Sequence, residues 1–141
     1  MSQAMLTRSV EEMYALAAAL LPELIQRSIV LLQGDLGSGK TTFVQGVGRA
    51  LGVGRLITSP TFALVHEYRV EHPDIDTLVH ADLYRLRNVD VATLADLGLD
   101  DALKNPRTLL CIEWPERMTE DVSGVHLRFT IDGLWRLVEK M

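Results

Sequence analysis

Residues Gly34-Asp35-Leu36-Gly37-Ser38-Gly39-Lys40-Thr41 set a glycine, four residues and then Gly-Lys-Thr between an apolar run and a helix-like segment. The run before them, Ile29-Val30-Leu31-Leu32, is continuously apolar, as in a strand buried on both faces of a sheet covered by helices. The segment after them, Lys40 to Leu51, has helical spacing, with Phe43, Val44, Val47, Ala50 and Leu51 on one side and Gly52 as its stop signal. Strand, glycine loop and helix in that order form the context in which such a loop wraps phosphate. Consecutive backbone N–H groups converge on the phosphate oxygens, and the positive end of the helix points at the same anion. The expected nucleotide-binding residues are therefore Asp35, Leu36, Gly37, Ser38, Gly39, Lys40, Thr41 and Thr42. Lys40 supplies a cation for the β- and γ-phosphates, and the Thr41 hydroxyl is suited to ligate Mg²⁺.

Such a loop needs an acid at the end of a neighbouring parallel strand to organise Mg²⁺ and the attacking water. Glu113 meets that description, because Leu109, Leu110, Cys111 and Ile112 before it make an apolar strand whose carboxyl end emerges at the ligand-binding rim of an α/β sheet. Asp82, at the end of Thr77 to Asp82, is a second acid of the same kind. It opens the cluster Asp82-Leu83-Tyr84-Arg85, in which an acid, a phenol and a guanidinium either converge on phosphate or pair with each other. Trp114, beside Glu113, suits stacking on a base, closing a pocket, core packing or a partner surface. Asp121-Val122-Ser123-Gly124 imitates the Asp-x-x-Gly of GTPases but follows no apolar strand, and no Asn-Lys-x-Asp guanine reader is present, so adenine is preferred over guanine by default.

The rest of the chain reads as one α/β domain over residues 1–141, with no repeat, linker or low-complexity stretch. Ser9 caps a helix with Glu12 three residues on, Met13, Leu16, Ala17 and Leu20 share one face, and Pro22 limits its length. Phe62 to Val70 and Thr77 to Asp82 read as an antiparallel strand pair, Asp90 to Leu97 as a short helix closed by Gly98, and Thr108 to Glu113 as a strand. Val125 to Ile131 and Leu134 to Glu139 flank Asp132-Gly133, read as a type I′ hairpin turn. Parallel and antiparallel pairs thus belong to one sheet.

Composition narrows the function classes. A net charge of −5 opposes a broad nucleic-acid grip, so any nucleic-acid role is shared with a partner. The lone Cys111 excludes an internal disulfide framework, reads as a small buried hydrophobe and fits a reducing cytoplasm. His66, His72 and His126 lack partners at metal-ligand spacing. The longest apolar stretch, Ala15 to Leu21, is too short to span a bilayer.

Together these motifs resemble the TsaE (YjeE) family, small P-loop ATPases of bacterial threonylcarbamoyladenosine synthesis in tRNA. The resemblance covers most of the chain. Gly34 to Thr42 is similar to the family loop, with Ser38 where Ala is frequent; Thr58-Ser59-Pro60-Thr61-Phe62 is similar to its switch-like segment; His80-Ala81-Asp82-Leu83-Tyr84-Arg85-Leu86 resembles its His-x-Asp-x-Tyr-Arg signature; Ile112-Glu113-Trp114-Pro115-Glu116 resembles its Glu-Trp-Pro segment. Met13 stands where the family pattern has Thr, and no adenosine contact is carried over to that helix.

The resemblance implies a P-loop NTPase fold, ATP and Mg²⁺ as ligands, and TsaB and TsaD as partners, with tRNA reached through their complex. It assigns Lys40 and the loop amides to phosphates, Thr41 and Glu113 to Mg²⁺, and Asp82 to organising the catalytic centre. It further implies weak hydrolysis by the chain alone and ATP use that resets TsaB–TsaD between turnovers. Two alternatives stay open on the residues themselves. One is a small-metabolite kinase with Arg85 and Arg87 as lid arginines. The other is a non-hydrolysing switch in which ATP binding orders Ser59 to Phe62.

Overall fold

The computed structural model describes residues 3–58 and 64–141. Its strands are β1 (Gln3–Thr7), β2 (Ile29–Gly34), β3 (Val65–Arg69), β4 (Thr77–Asp82), β5 (Thr108–Glu113), β6 (Val125–Asp132) and β7 (Trp135–Lys140). Its α-helices are α1 (Val10–Arg27), α2 (Lys40–Ala50), α3 (Val91–Asp96) and α4 (Leu99–Lys104). The strands form one sheet in the order β1-β7-β6-β2-β5-β4-β3. β2 runs parallel to both β5 and β6, and β4 runs parallel to β5, while β1–β7, β6–β7 and β3–β4 are antiparallel. The apolar run at Ile29–Leu32 therefore lies mid-sheet, and the mixed α/β architecture is borne out.

Alternation along the central strands divides the core between two faces. Val30 and Leu32 of β2 and Leu109 and Cys111 of β5 pack with Met13, Ala17 and Leu24 of α1 and Phe43, Val44 and Val47 of α2. Ile29, Leu31, Leu110 and Ile112 point the other way, onto Leu94 of α3 and Leu99 and Ala102 of α4. Both faces of β2 and β5 are covered, which is why their sequences are apolar without interruption. Cys111 is fully buried, and that burial pushes its thiol up to about 12. α1 and α2 touch closely at Gly46, where a Cβ would lie 2.9 Å from Ala17 Cβ and 3.0 Å from Tyr14 Cα.

Several local expectations are corrected. α1 does not stop near Pro22 but runs through it to Arg27. Pro22 and Ala18, the residue whose carbonyl loses its helical donor, both face solvent, so water can satisfy that carbonyl while Met13, Ala17, Leu21 and Leu24 keep the buried stripe intact. Ser9 Oγ accepts the Glu12 N–H at 3.1 Å as expected of a cap, but the Glu12 carboxylate reaches Arg8 N–H at 2.8 Å. Ala50 is exposed, not part of the buried side of α2. β3 is shorter than the expected strand: it begins after Leu64, which is left-handed at φ 63°, and ends before Val70. Gly98 closes α3 and at once opens α4, a helix the sequence reading omitted, as it omitted β1. In the β6–β7 hairpin Asp132 pairs with Trp135, so the loop is Gly133-Leu134. Only Gly133 of these two has positive φ (62°), which excludes type I′ and matches a turn with glycine first. Among the described residues no helix is long and apolar enough to cross a membrane.

Candidate functional site

The Gly-rich loop joins β2 to α2 at the carboxyl edge of the parallel strands. Gly39 is the N-cap of α2 in a left-handed conformation (φ 106°) that favours glycine, and a Cβ there would lie 2.8 Å from Met13 Cε, the flexible end of a side chain. The loop is braced within itself by Ser38 N–H donating to Asp35 O (3.1 Å) and from β7 by Arg136 Nε donating to Gly37 O (3.1 Å). Ser38 Oγ is buried and has no hydrogen-bond partner among the described residues, an orphaned polar atom inside the cradle.

Lys40, the first residue of α2, is 4% exposed. Its ammonium donates to the Gly34 and Asp35 carbonyls, with Nζ 3.2 Å from the latter, and sits 4.3 Å from the centroid of the Trp114 ring. Burial holds its pKa below the ordinary lysine value against the opposing pull of Glu113, Asp82, Glu116 and Asp35. Next to it, the Thr41 hydroxyl donates to Glu113 Oε2 at 3.0 Å. The same oxygen lies 2.5 Å from His80 Nε2, and both His80 and Glu113 are buried.

β4 and β5 end in register, Asp82 beside Glu113. Asp82 is half-buried, and its Oδ1 accepts Tyr84 N–H at 3.0 Å. Burial raises its pKa, the Tyr84 amide opposes that rise, and the Glu113 charge adds to it. Trp114 follows Glu113 in the left-handed region (φ 61°). Its ring stands 5.0 Å from that of Tyr84, with the Arg117 guanidinium 5.2 Å from Trp114 and 5.9 Å from Tyr84.

Lys40, Thr41, Asp82, Glu113 and Trp114 border a cavity of about 390 Å³, within the usual size of a small-molecule site. Leu36 to Thr42 line it, and Asp82, Glu113 and Trp114 close one side. The other side is built by Thr7, Arg8, Ser9, Val10, Met13, Leu134 and Arg136, from the β1–α1 junction and the β6–β7 hairpin. Sequence reasoning missed that wall because Thr7 to Met13 and Leu134 to Arg136 come from opposite ends of the sequence and share no local pattern. Of the expected site residues, Asp35 contributes its carbonyl to Lys40 but lies outside the cavity lining, as do Tyr84 and Arg85. Thr58 is exposed; Ser59, Pro60, Thr61 and Phe62 lie outside the described residues. His80 was the other omission: it stands first in the His-x-Asp-x-Tyr-Arg signature, two residues before Asp82, but was given no role of its own.

The donor set suits Mg²⁺. Thr41 Oγ1 and the Glu113 carboxylate are hard oxygens already adjacent, and this ion takes one or two protein oxygens beside phosphate and water.

The family model described as "Threonylcarbamoyl adenosine biosynthesis protein TsaE" matches residues 7–136. Among curated relatives, a protein of Synechocystis sp. named tRNA threonylcarbamoyladenosine biosynthesis protein TsaE is 45% identical over 93 residues, 66% of this chain and 57% of that protein. A protein of the same name from Mycobacterium tuberculosis is 36% identical over 122 residues, 84% of this chain and 71% of that one. The match thus spans little more than half the length of the Synechocystis relative. The crystal structure of YdiB from Bacillus subtilis superposes with a TM-score of 0.68 over 99% of this chain and 84% of that one at 23% identity, and so shares the phosphate-loop α/β fold. On the match across residues 7–136 and these relatives, the chain belongs to the TsaE family.

Proposed function

We propose that residues 1–141 work as one ATPase domain that binds ATP with Mg²⁺ and hydrolyses it slowly, serving cytoplasmic threonylcarbamoyl modification of the tRNA adenosine next to the anticodon. Its action is on a complex of TsaB and TsaD, and it meets tRNA through them. The observation that carries this reading is the convergence of Lys40, Thr41, Asp82 and Glu113 on one cavity beside the Gly-rich loop. The names of the relatives support the tRNA role.

In this reading the loop amides and Lys40 bind the phosphates, and Lys40 exchanges the Gly34 and Asp35 carbonyls for phosphate oxygens. Thr41 and Glu113 would hold Mg²⁺, which when bound neutralises phosphate charge. Asp82 orients the attacking water with Glu113. The wall of Val10, Met13 and Leu134 offers apolar surface to the base. Trp114 at the cavity wall, with Tyr84 and Arg85 beyond the lining, would serve as phosphate or partner contacts, and Thr58 to Phe62 is the switch segment that docking completes.

β5 ends in a single acid, Glu113, which must serve metal and water together with Asp82. Hydrolysis is accordingly expected to depend on partners. Phosphate release by the purified chain should rise at least about tenfold on adding TsaB, TsaD and tRNA, equivalent to ~1.4 kcal/mol of barrier. Unchanged release, with complex formation verified independently, would remove the partner-activated reading, and a phosphorylated metabolite in place of free phosphate would turn it into a kinase.

A further inference from the structure

We propose that His80 is a positioning residue that acts through Glu113 to set the metal affinity of the nucleotide site, an inference that rests on the ATP–Mg²⁺ reading above. His80 lies on β4 beside Cys111 of β5, two positions before the ends of both strands, and its ring runs along the sheet to Glu113. Nε2 is 2.5 Å from Glu113 Oε2, the oxygen that also receives the Thr41 hydroxyl. Nδ1, on the far side of the ring, is buried with no hydrogen-bond partner among the described residues. The contacts therefore select the tautomer with its proton on Nε2, donating to the carboxylate.

Packing alone does not account for this side chain. An apolar residue would fill a fully buried position on β4 without leaving a polar atom unpaired in the interior. What the imidazole adds is a rigid donor on one carboxylate oxygen of a proposed metal ligand. Of the two donors on Oε2 among the described residues, Thr41 is itself a proposed metal ligand. A Thr41 hydroxyl engaged elsewhere leaves His80 as the donor that keeps Glu113 in place. Free of it, the carboxylate gains rotamers, including those drawn toward Lys40, whose charge it already feels. Partners that orient a ligating group in this manner are typically worth about 10- to 100-fold in metal affinity.

The test compares His80→Gln, His80→Asn and His80→Leu in the full chain. The Gln amide nitrogen is as many bonds from Cβ as imidazole Nε2, whereas the Asn amide is one bond short and Leu has no donor. ADP affinity is measured without metal, Mn²⁺ affinity by electron paramagnetic resonance at saturating ADP, and folding by thermal denaturation. Wild type and His80→Gln should bind Mn²⁺ alike. His80→Asn and His80→Leu, or whichever of them folds, should lose at least about tenfold in Mn²⁺ affinity. Metal-free ADP affinity should stay within about twofold in every folded variant, because the phosphate loop is untouched. A folded Asn or Leu variant with wild-type Mn²⁺ affinity, or a Gln variant as weak as Asn, overturns the positioning role while leaving the nucleotide reading intact. A wild-type chain that binds neither ADP nor Mn²⁺ overturns both.

Discussion

The Thr41 hydroxyl donates to Glu113 Oε2 across 3.0 Å, so the first turn of α2 is tied to the carboxyl end of β5 through an oxygen that His80 also engages. Glu113→Gln preserves one acceptor oxygen for Thr41 while removing the charge and turning the second oxygen into an amide donor. Nucleotide binding should change by less than about threefold, since the loop amides still hold the anion, while Mg²⁺-dependent hydrolysis falls by about a hundredfold or more. Single-turnover hydrolysis set against equilibrium binding checks this; equal losses in both would show that Glu113 acts on binding alone.

Lys40 couples the site to pH. In the folded protein its pKa is lowered by burial, so between that lowered value and the unfolded value of 10.5 the unfolded chain holds more protons than the folded one. The contribution to stability is present above the unfolded value and is lost as pH falls through the folded value. Nucleotide binding, which uses the ammonium, runs the opposite way and should weaken on the alkaline side before an ordinary lysine titrates. Affinity measured from neutrality to about pH 10 should decline, and a flat profile would contradict the assignment. Lys40→Ala should remove about 1.5–3 kcal/mol of ATP binding, the worth of a charge-assisted hydrogen bond, and abolish productive turnover. The variant should still fold, because the lost bonds are to carbonyls of the loop.

Asp82 carries the reverse sign. Its folded pKa is raised by burial above the usual 3.8, so stability is fully present below 3.8 and is lost as pH rises through the folded value. Asp82→Asn abolishes that ionisation while keeping an acceptor for Tyr84 N–H. The variant should melt higher than wild type at neutral pH, the gap should close as pH falls into the acidic window, and hydrolysis should drop by about tenfold or more. Thermal melts across pH with parallel phosphate-release assays measure both arms; a variant less stable than wild type at neutrality would refute the buried-charge argument.

What the sequence made legible follows from the range over which each feature is encoded. The loop, β2, β5 and the ends of β4 and β5 are local patterns: an apolar run fixes a doubly covered strand, and the residue after it falls at the rim whatever the remaining chain does. Glu113 and Asp82 were found in that way. The Pro22 stop failed because a local penalty of the missing donor was outweighed by a buried stripe continuing to Leu24, a tertiary term. Val10, Met13, Leu134 and Arg136 were not legible as one wall, since only the β1–β7 pairing and the hairpin bring them together. His80 was hidden by ambiguity: a histidine in an apolar strand is commonly a packed one, and its contact to Glu113 depends on the β4–β5 register.

The α1–α2 crossing offers a test of packing apart from the chemistry. Gly46 sits inside α2, where Ala is favoured over Gly by about 1 kcal/mol on propensity alone. Against that gain, a Cβ at this position would lie 2.9 Å from Ala17 Cβ, 3.0 Å from Tyr14 Cα and 3.1 Å from Tyr14 Cδ1, and the first two neighbours belong to a helix pinned by its own buried stripe. Neither can rotate away as a long side chain could, so relief requires the helices to separate, loosening Phe43, Val44 and Val47 against Met13 and Ala17. Overpacking of this kind costs about 1–3 kcal/mol, enough to exceed the propensity gain. Gly46→Ala is therefore expected to destabilise the fold by about 1 kcal/mol net, read as a lower midpoint in urea with an unchanged slope. A variant more stable than wild type would mean that propensity outweighs contact at this crossing, and that α2 and the Gly-rich loop it anchors are held less tightly than the geometry indicates.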